Sequence, residues 1–219
     1  MVSPQAHATA LELQDLVRRG YESQDVDYKG PGSWKTWNSD QKAELIRDMM
    51  AMGNSDRPGW IILGVAEGTG AGWMHVGLTD VEAKSFDPSD IGKKVKRQSD
   101  PEVRFSVRRA EVDGKAYIAI RTEPFGSVPH VCKTSSGTVL DEGAIYVRTE
   151  AAETSKVTTA EQMRRLVDRG IQVHADLIVG RIASLVQEAG VVGVRVTAAG
   201  QSEQWSDHII QARRTAGRQ

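Results

Sequence analysis

The sequence predicts an α+β fold: a mixed, mainly antiparallel sheet with helices packed against it, followed by a helical C-terminal extension. Three observations carry this. The apolar run at residues 60–65 has the length of a buried central strand and lies between Pro58-Gly59 and a glycine-rich turn at 68, 70 and 72. Asp113-Gly114, set between residues 103–112 and 116–122, is the strongest short hairpin signal in the chain. Asn38-Ser39-Asp40-Gln41 opens a helix in the manner of a capping box, with Leu45, Ile46, Met49 and Met50 on one face.

The remaining elements follow in order. Leu13, Leu16 and Val17 at helical spacing predict a first helix over 8–19, stopped by Gly20. Residues 25–29 alternate charged and apolar side chains, as a strand does with Val26 and Tyr28 facing inward, and Gly30-Pro31-Gly32 breaks it. The second helix ends near Gly53, and residues 73–78 return as hairpin partner of the 60–65 strand. Residues 88–98 read as a helix and 144–148 as a short strand. Thr158-Thr159-Ala160-Glu161 caps a helix carrying Met163, Leu166 and Val167 that stops at Gly170. Beyond it Ile171, Ala175, Ile178, Ile182, Leu185 and Ala189 recur in steps of four and three, a short heptad seam. A valine-rich run at 191–196, a last amphipathic helix around Trp205 and Ile209 and a basic end (Arg213, Arg214, Arg218) complete the chain. The division is therefore a main domain at 8–170 and an extension at 171–219.

Composition removes several function classes. With 28 Lys plus Arg against 29 Asp plus Glu there is no global field to draw the chain onto a polyanion. A 39% hydrophobic and 26% charged composition is that of an ordinary globular protein, and no apolar run approaches the roughly 20 residues of a membrane-spanning helix. One cysteine, Cys132, supports neither an intramolecular disulfide nor a cysteine-based zinc site, and the first ten residues carry no basic segment followed by an apolar one. A reducing cytoplasm is the expected setting. The five histidines show no HxxxH or HExxH spacing, and the glycines at 64, 68, 70 and 72 match neither GxGxxG nor GxxxxGK[ST].

The carboxylates are more informative. Asp27 and Lys29 lie two apart on one strand and share a face opposite Val26 and Tyr28. Glu22 precedes that strand, and Glu67 leaves the apolar strand on the parity of Ile61, Leu63 and Val65. Neighbouring strands would bring three acids and a lysine together. Such carboxylates raise one another's pKa unless a cation neutralises them, and an oxygen-only set suits Mg²⁺ or Mn²⁺. The plainer alternative is a solvated polar face of a sheet.

The order of Glu22-Ser23, Asp27-Tyr28-Lys29, a helix running into Ala51-Met52-Gly53-Asn54-Ser55, and Ile61-Ile62-Leu63-Gly64-Val65 resembles the Schlafen AlbA-type domain. Pro129-His130, then Gly143-Ala144-Ile145-Tyr146-Val147-Arg148, then the helix from Thr158 resemble its closing pattern, so the likeness covers about residues 13–170. In vertebrate Schlafens this fold forms a tRNA and rRNA endonuclease with three metal-binding acids. The resemblance carries these onto Glu22, Asp27 and Glu67, with Lys29 beside them as the fourth catalytic candidate. This chain departs from the pattern in having Asp27 where the family has Glu, Glu67 where the endonucleases have Asp, and Arg57-Pro58-Gly59 in place of paired glycines. It carries one domain copy where vertebrate Schlafens have two lobes.

Between Lys93 and Arg109 lie seven basic residues against two acids, Asp100 and Glu102; Lys93, Lys94, Lys96 and Arg97 are its candidate phosphate contacts. Trp34 and Trp37, beside Lys35, are candidates either to stack unpaired bases or to pin their loop to the core. The resulting expectation is a nucleic-acid-binding protein with Mg²⁺- or Mn²⁺-dependent endoribonuclease activity on tRNA-like RNA, a toxin or phage-defence effector that dimerises through its C-terminal helices. The alternative is a non-catalytic module binding nucleic acid, a nucleotide or a partner protein.

Overall fold

The computed structural model describes residues 4–69 and 72–188. Helix α1 (Pro4–Arg18) leads into β1 (Val26–Lys29), α2 (Ser39–Gly53) and β2 (Gly59–Leu63). A ribbon of β3 (Val65–Glu67) and β4 (Trp73–His75) follows, then α3 (Asp80–Ser85), α4 (Pro88–Gln98) and β5 (Ser99–Asp100). The hairpin β6 (Phe105–Val112) and β7 (Lys115–Thr122) precedes β8 (Val131–Cys132), β9 (Tyr146–Arg148), β10 (Thr154–Lys156) and α5 (Ala160–Glu188). The main sheet runs β1-β2-β7-β6, with the first pair parallel and the others antiparallel. This is the mixed, mainly antiparallel α+β arrangement that the sequence predicts. The chain divides into two compact units, Met1–Gly170 and Ile171–Gln219.

Local chemistry accounts for the elements. Asn38 closes a full capping box with Gln41: its side chain accepts from the Gln41 N–H, and the Gln41 side chain accepts from the Asn38 N–H. Asp113 and Gly114 both have positive φ (52° and 73°), as a two-residue turn matched to strand twist requires. A second capping box, Thr79 with Glu82, starts α3.

The sheet is apolar on both faces. Leu13 and Val17 of α1 pack with Val26, Tyr28, Trp60, Ile62 and Tyr117, while α2 and α4 pack over Ile61, Leu63, Ile118 and Ile120. Each fully buried Leu, Ile or Met contributes about 1.5–3 kcal/mol, so α2, with Leu45, Ile46, Met49, Met50 and Met52 fully buried, anchors its side of the sheet. Parallel pairing sets Asp27 beside Ile61 and Lys29 beside Leu63. Those two charges therefore stand on the face that α2 covers, and Asp27 is only 5% exposed. The polar face of β1 is a charged patch inside the fold, not a solvated surface.

Three expectations are corrected. The apolar run does not continue as one strand to Val65: Gly64, at φ +104°, interrupts it, and a Cβ there would meet the Tyr117 ring at 2.9 Å and the Gly77 backbone at 3.2 Å. The break shifts parity, so Leu63 packs with α2 whereas Val65 joins the α1 side, and residues 73–75 pair with β3 rather than with the central strand. Gly170 does not stop its helix, which runs to Glu188. That glycine serves a close approach instead, since a Cβ would lie 2.7 Å from the Ser127 carbonyl oxygen. In the heptad seam, Ile171, Ile178, Ile182 and Leu185 are exposed. Its Ala189, the run at 191–196, the helix around Trp205 and Ile209 and the basic end lie outside the described residues.

Candidate functional site

A cavity of about 520 Å³ opens beside β1, and Glu22, Asp27, Lys29 and Glu67 all line it. The four sequence candidates thus share one pocket. Asp48 and Arg47 of α2, Arg148 at the end of β9 and Glu153 just before β10 complete its charged wall.

Five of these side chains form an alternating chain of charge. Arg148 donates to Asp27 Oδ1 at 3.1 Å; Lys29 Nζ lies 2.8 Å from Asp27 Oδ2 and 2.6 Å from Asp48 Oδ2; Arg47 reaches Asp48 Oδ1 at 3.4 Å. The side chains of Asp48, Arg148 and Asp27 are 2%, 3% and 7% exposed, so these pairs are screened little by water. Burial pulls the Lys29 ammonium down, but Asp48 and then Asp27 outweigh it and hold the group well above the ordinary lysine range. Arg148 also donates to the carbonyls of Ser23 and Val26, which ties the turn before β1 to β9.

Glu22 stands outside that chain. Its Oε1 accepts the Tyr28 backbone N–H at 2.8 Å. Burial raises its carboxyl above the ordinary value against the pull of that hydrogen bond, and the nearby Asp27 raises it further. Glu67 sits exposed at the end of β3, on the pocket's rim, where the parity shift at Gly64 leaves it.

The Mg²⁺ or Mn²⁺ implied by the resemblance does not fit these carboxylates as they stand. Both oxygens of Asp27 already face cations, and among the described residues no three His, Cys, Asp or Glu side chains come together closely enough to hold a metal ion.

Asp48, Arg47, Arg148 and Glu153 are charged residues of the site that are not among the sequence candidates. Asp48 carries a usable signal: it falls on the apolar stripe of α2 between Leu45 and Met52, where a lone acid must find a partner. The basic candidates lie elsewhere, on α4. Lys93, Lys96 and Arg97 are exposed opposite Ile91 and Val95, and Lys93 pairs with Asp90 at 2.9 Å. Burial, with Arg97 and Lys42 nearby, lowers the Lys94 ammonium. Trp34 is buried, donates its backbone N–H to Ser85 Oγ and packs with Trp37, which meets Phe86 edge-on, so these tryptophans pin their loop to the core.

The fold and the order of its motifs agree with the sequence profile of the Schlafen AlbA_2 domain, which matches residues 22–157. The chain belongs to the Schlafen AlbA_2 family. Membership supports a nucleic-acid-related role. Among solved structures, the chain is similar to the DIP2311 protein of Corynebacterium diphtheriae, with 15% identity and a TM-score of 0.48 over 76% of this chain; it spans 29% of that protein's length. It is also similar to the N-terminal domain of a Nitrosomonas europaea protein named for its relation to the ATP-dependent DNA helicase RecG, with 17% identity and a TM-score of 0.41 over 61% of this chain and 86% of that one. No curated protein matches the chain. Among the described residues no helix is long and apolar enough to cross a membrane.

Proposed function

We propose that this Schlafen AlbA_2 protein binds nucleic acid and cleaves RNA endonucleolytically in the β1 pocket, with tRNA-like molecules as substrates, in the role of a toxin or phage-defence effector. The observation that carries the reading is the pairing, in one cavity, of a carboxyl raised by burial, Glu22, with a fixed ammonium, Lys29. RNA supplies its own nucleophile. Glu22 as carboxylate would take the 2′-hydroxyl proton as that oxygen attacks phosphorus; the P–O5′ bond breaks, leaving a 2′,3′-cyclic phosphate, the 5′-oxygen takes a proton from water, and Lys29 offsets the charge gathering on the phosphoryl oxygens. The exposed lysines and Arg97 of α4 would contact phosphates. Self-association through the exposed seam of α5 would set a second copy beside this single domain.

A second reading, a binding module without catalysis, is favoured by Asp27 and Asp48 being closed already by Lys29, Arg148 and Arg47. One experiment separates the two. Purified protein is incubated with total tRNA in Mg²⁺, in Mn²⁺ and in chelator, with Glu22→Gln and Lys29→Met alongside. The first reading expects discrete tRNA fragments from wild type, none from either variant, and binding retained in all three. Intact tRNA under every condition, with binding retained, supports the module; fragments that vanish only in chelator would mean that the pocket recruits Mg²⁺ or Mn²⁺ with its substrate.

A further inference from the structure

The disagreement between the acids and a metal has a structural source in Lys29. We propose that the Lys29 ammonium is the pocket's built-in cation: it fills the position between Asp27 and Asp48 that a divalent ion would take, and removing it turns these two aspartates into a divalent-cation site.

Two facing oxygens define the position. Asp27 Oδ2 and Asp48 Oδ2 lie 2.8 Å and 2.6 Å from the same nitrogen. Both oxygens are buried, and the Lys29 ammonium is the group that each faces. The other oxygen of each carboxylate is turned to an arginine, Arg148 on Asp27 and Arg47 on Asp48. Hard divalent cations take carboxylate oxygens at about 2.0–2.6 Å, so two oxygens that close on one nitrogen can close on one ion, with water in the remaining positions.

The charge balance explains why the ammonium and not a metal belongs there. The five linked side chains alone carry a net +1, three cations against two aspartates, so a dication set among them would be repelled at contact distance by Lys29, Arg47 and Arg148, while the glutamates of the cavity, Glu22, Glu67 and Glu153, stand outside this chain of ion pairs. Replacing Lys29 by an uncharged residue brings the four that remain to zero. Two buried carboxylates then face each other across the vacated position, which a dication can fill. Lys29 is 27% exposed on the cavity side, which gives an ion a way in.

This concerns the same pocket as the proposed cleavage, and rests on that reading only for its chemical role. The test reads metal binding without RNA, so the two fail separately. Mn²⁺ binding to the full chain is followed by electron paramagnetic resonance. Wild type is expected to show no Mn²⁺ site that Asp27→Asn removes. Lys29→Met should bind Mn²⁺ at least about tenfold more tightly than wild type, as the removal of one charge at contact distance implies, and adding Asp48→Asn should erase the gain. Lys29→Gln serves as a second variant. Mn²⁺ should raise the melting temperature of either Lys29 variant and leave that of wild type in place; variants that fold only with Mn²⁺ present would meet the same expectation. A wild-type Mn²⁺ site lost in Asp27→Asn, a Lys29→Met protein that binds no tighter than wild type, or Lys29 variants that stay unfolded even with Mn²⁺ would each overturn the proposal.

Discussion

Around β1, Asp27 and Asp48 are almost wholly buried and each is flanked by two cations at 2.6–3.4 Å. Along α4, Lys93, Lys96 and Arg97 stand in solvent, and the ion pair there, Lys93 with Asp90, is 77% and 45% exposed. The residue types are the same and their energetics are not. An exposed pair is worth about 0–1 kcal/mol because water and salt screen it, whereas breaking one partner of a buried set leaves an uncompensated charge that costs about 3–5 kcal/mol. Charge count therefore says little about a surface until burial is known, and the pocket and the helix are expected to answer substitution in different ways.

The largest effect is expected at Asp48. Asp48→Ala leaves Lys29 with one carboxylate and should cost about 3–5 kcal/mol in denaturant unfolding, while Asp90→Ala should cost under about 0.5 kcal/mol. Equal losses would erase the contrast between the two regions.

Next comes Asn54, which caps α2. Its Nδ2 donates to the carbonyls of His130 and Tyr146, both at 2.9 Å, and its Oδ1 accepts the His130 N–H at 2.7 Å, all in the interior. Asn54→Ala strands those backbone groups and should cost about 2–3 kcal/mol, read in the same unfolding experiment. It should also loosen β9, which a lowered amide-exchange protection of Tyr146 and Val147 would report.

A smaller, pH-dependent effect sharpens the description of the pocket. Glu22 has its folded-state pKa raised, so the folded protein holds that proton more tightly than the unfolded chain does. The stabilisation is fully present below the unfolded carboxylate value, about 4.3, and is lost as pH rises through the raised folded value. Glu22→Gln should flatten the decline in stability across that window; an unchanged pH profile would mean that Glu22 is better solvated than its burial implies.

The smallest stability effect belongs to α4. Lys96→Gln with Arg97→Gln should leave unfolding within about 0.5 kcal/mol of wild type, yet lower the salt slope of RNA binding by about one unit per lost phosphate contact. A slope that does not move assigns these side chains to solvation.

Much of this organisation was legible in the amino-acid order. The Asn38 capping box, the Asp113-Gly114 hairpin and the co-location of Glu22, Asp27, Lys29 and Glu67 follow from period, turn chemistry and family likeness. What was not legible depends on tertiary approach. Asp48 stands out as an acid on the apolar stripe of α2, but its partner is hidden until β1 is laid beneath that helix, and Arg148 reads as the polar end of a short strand until it meets Asp27. Gly170 and Gly64 show the same limit, since a glycine's meaning as stop, break or close contact depends on which backbone lies opposite.

Arg148 and Asp27 are 121 residues apart in sequence, and Asn54 joins backbone groups 76 and 92 residues downstream. Contacts of such separation come late, because loop-closure entropy must be met before they form. On the ribosome, Asp27 emerges long before the arginine that neutralises it, so a nascent or truncated chain ending short of Arg148 holds Asp27 and Lys29 without the full wall of the pocket. The pocket's charged wall is thereby complete only in a chain that includes β9.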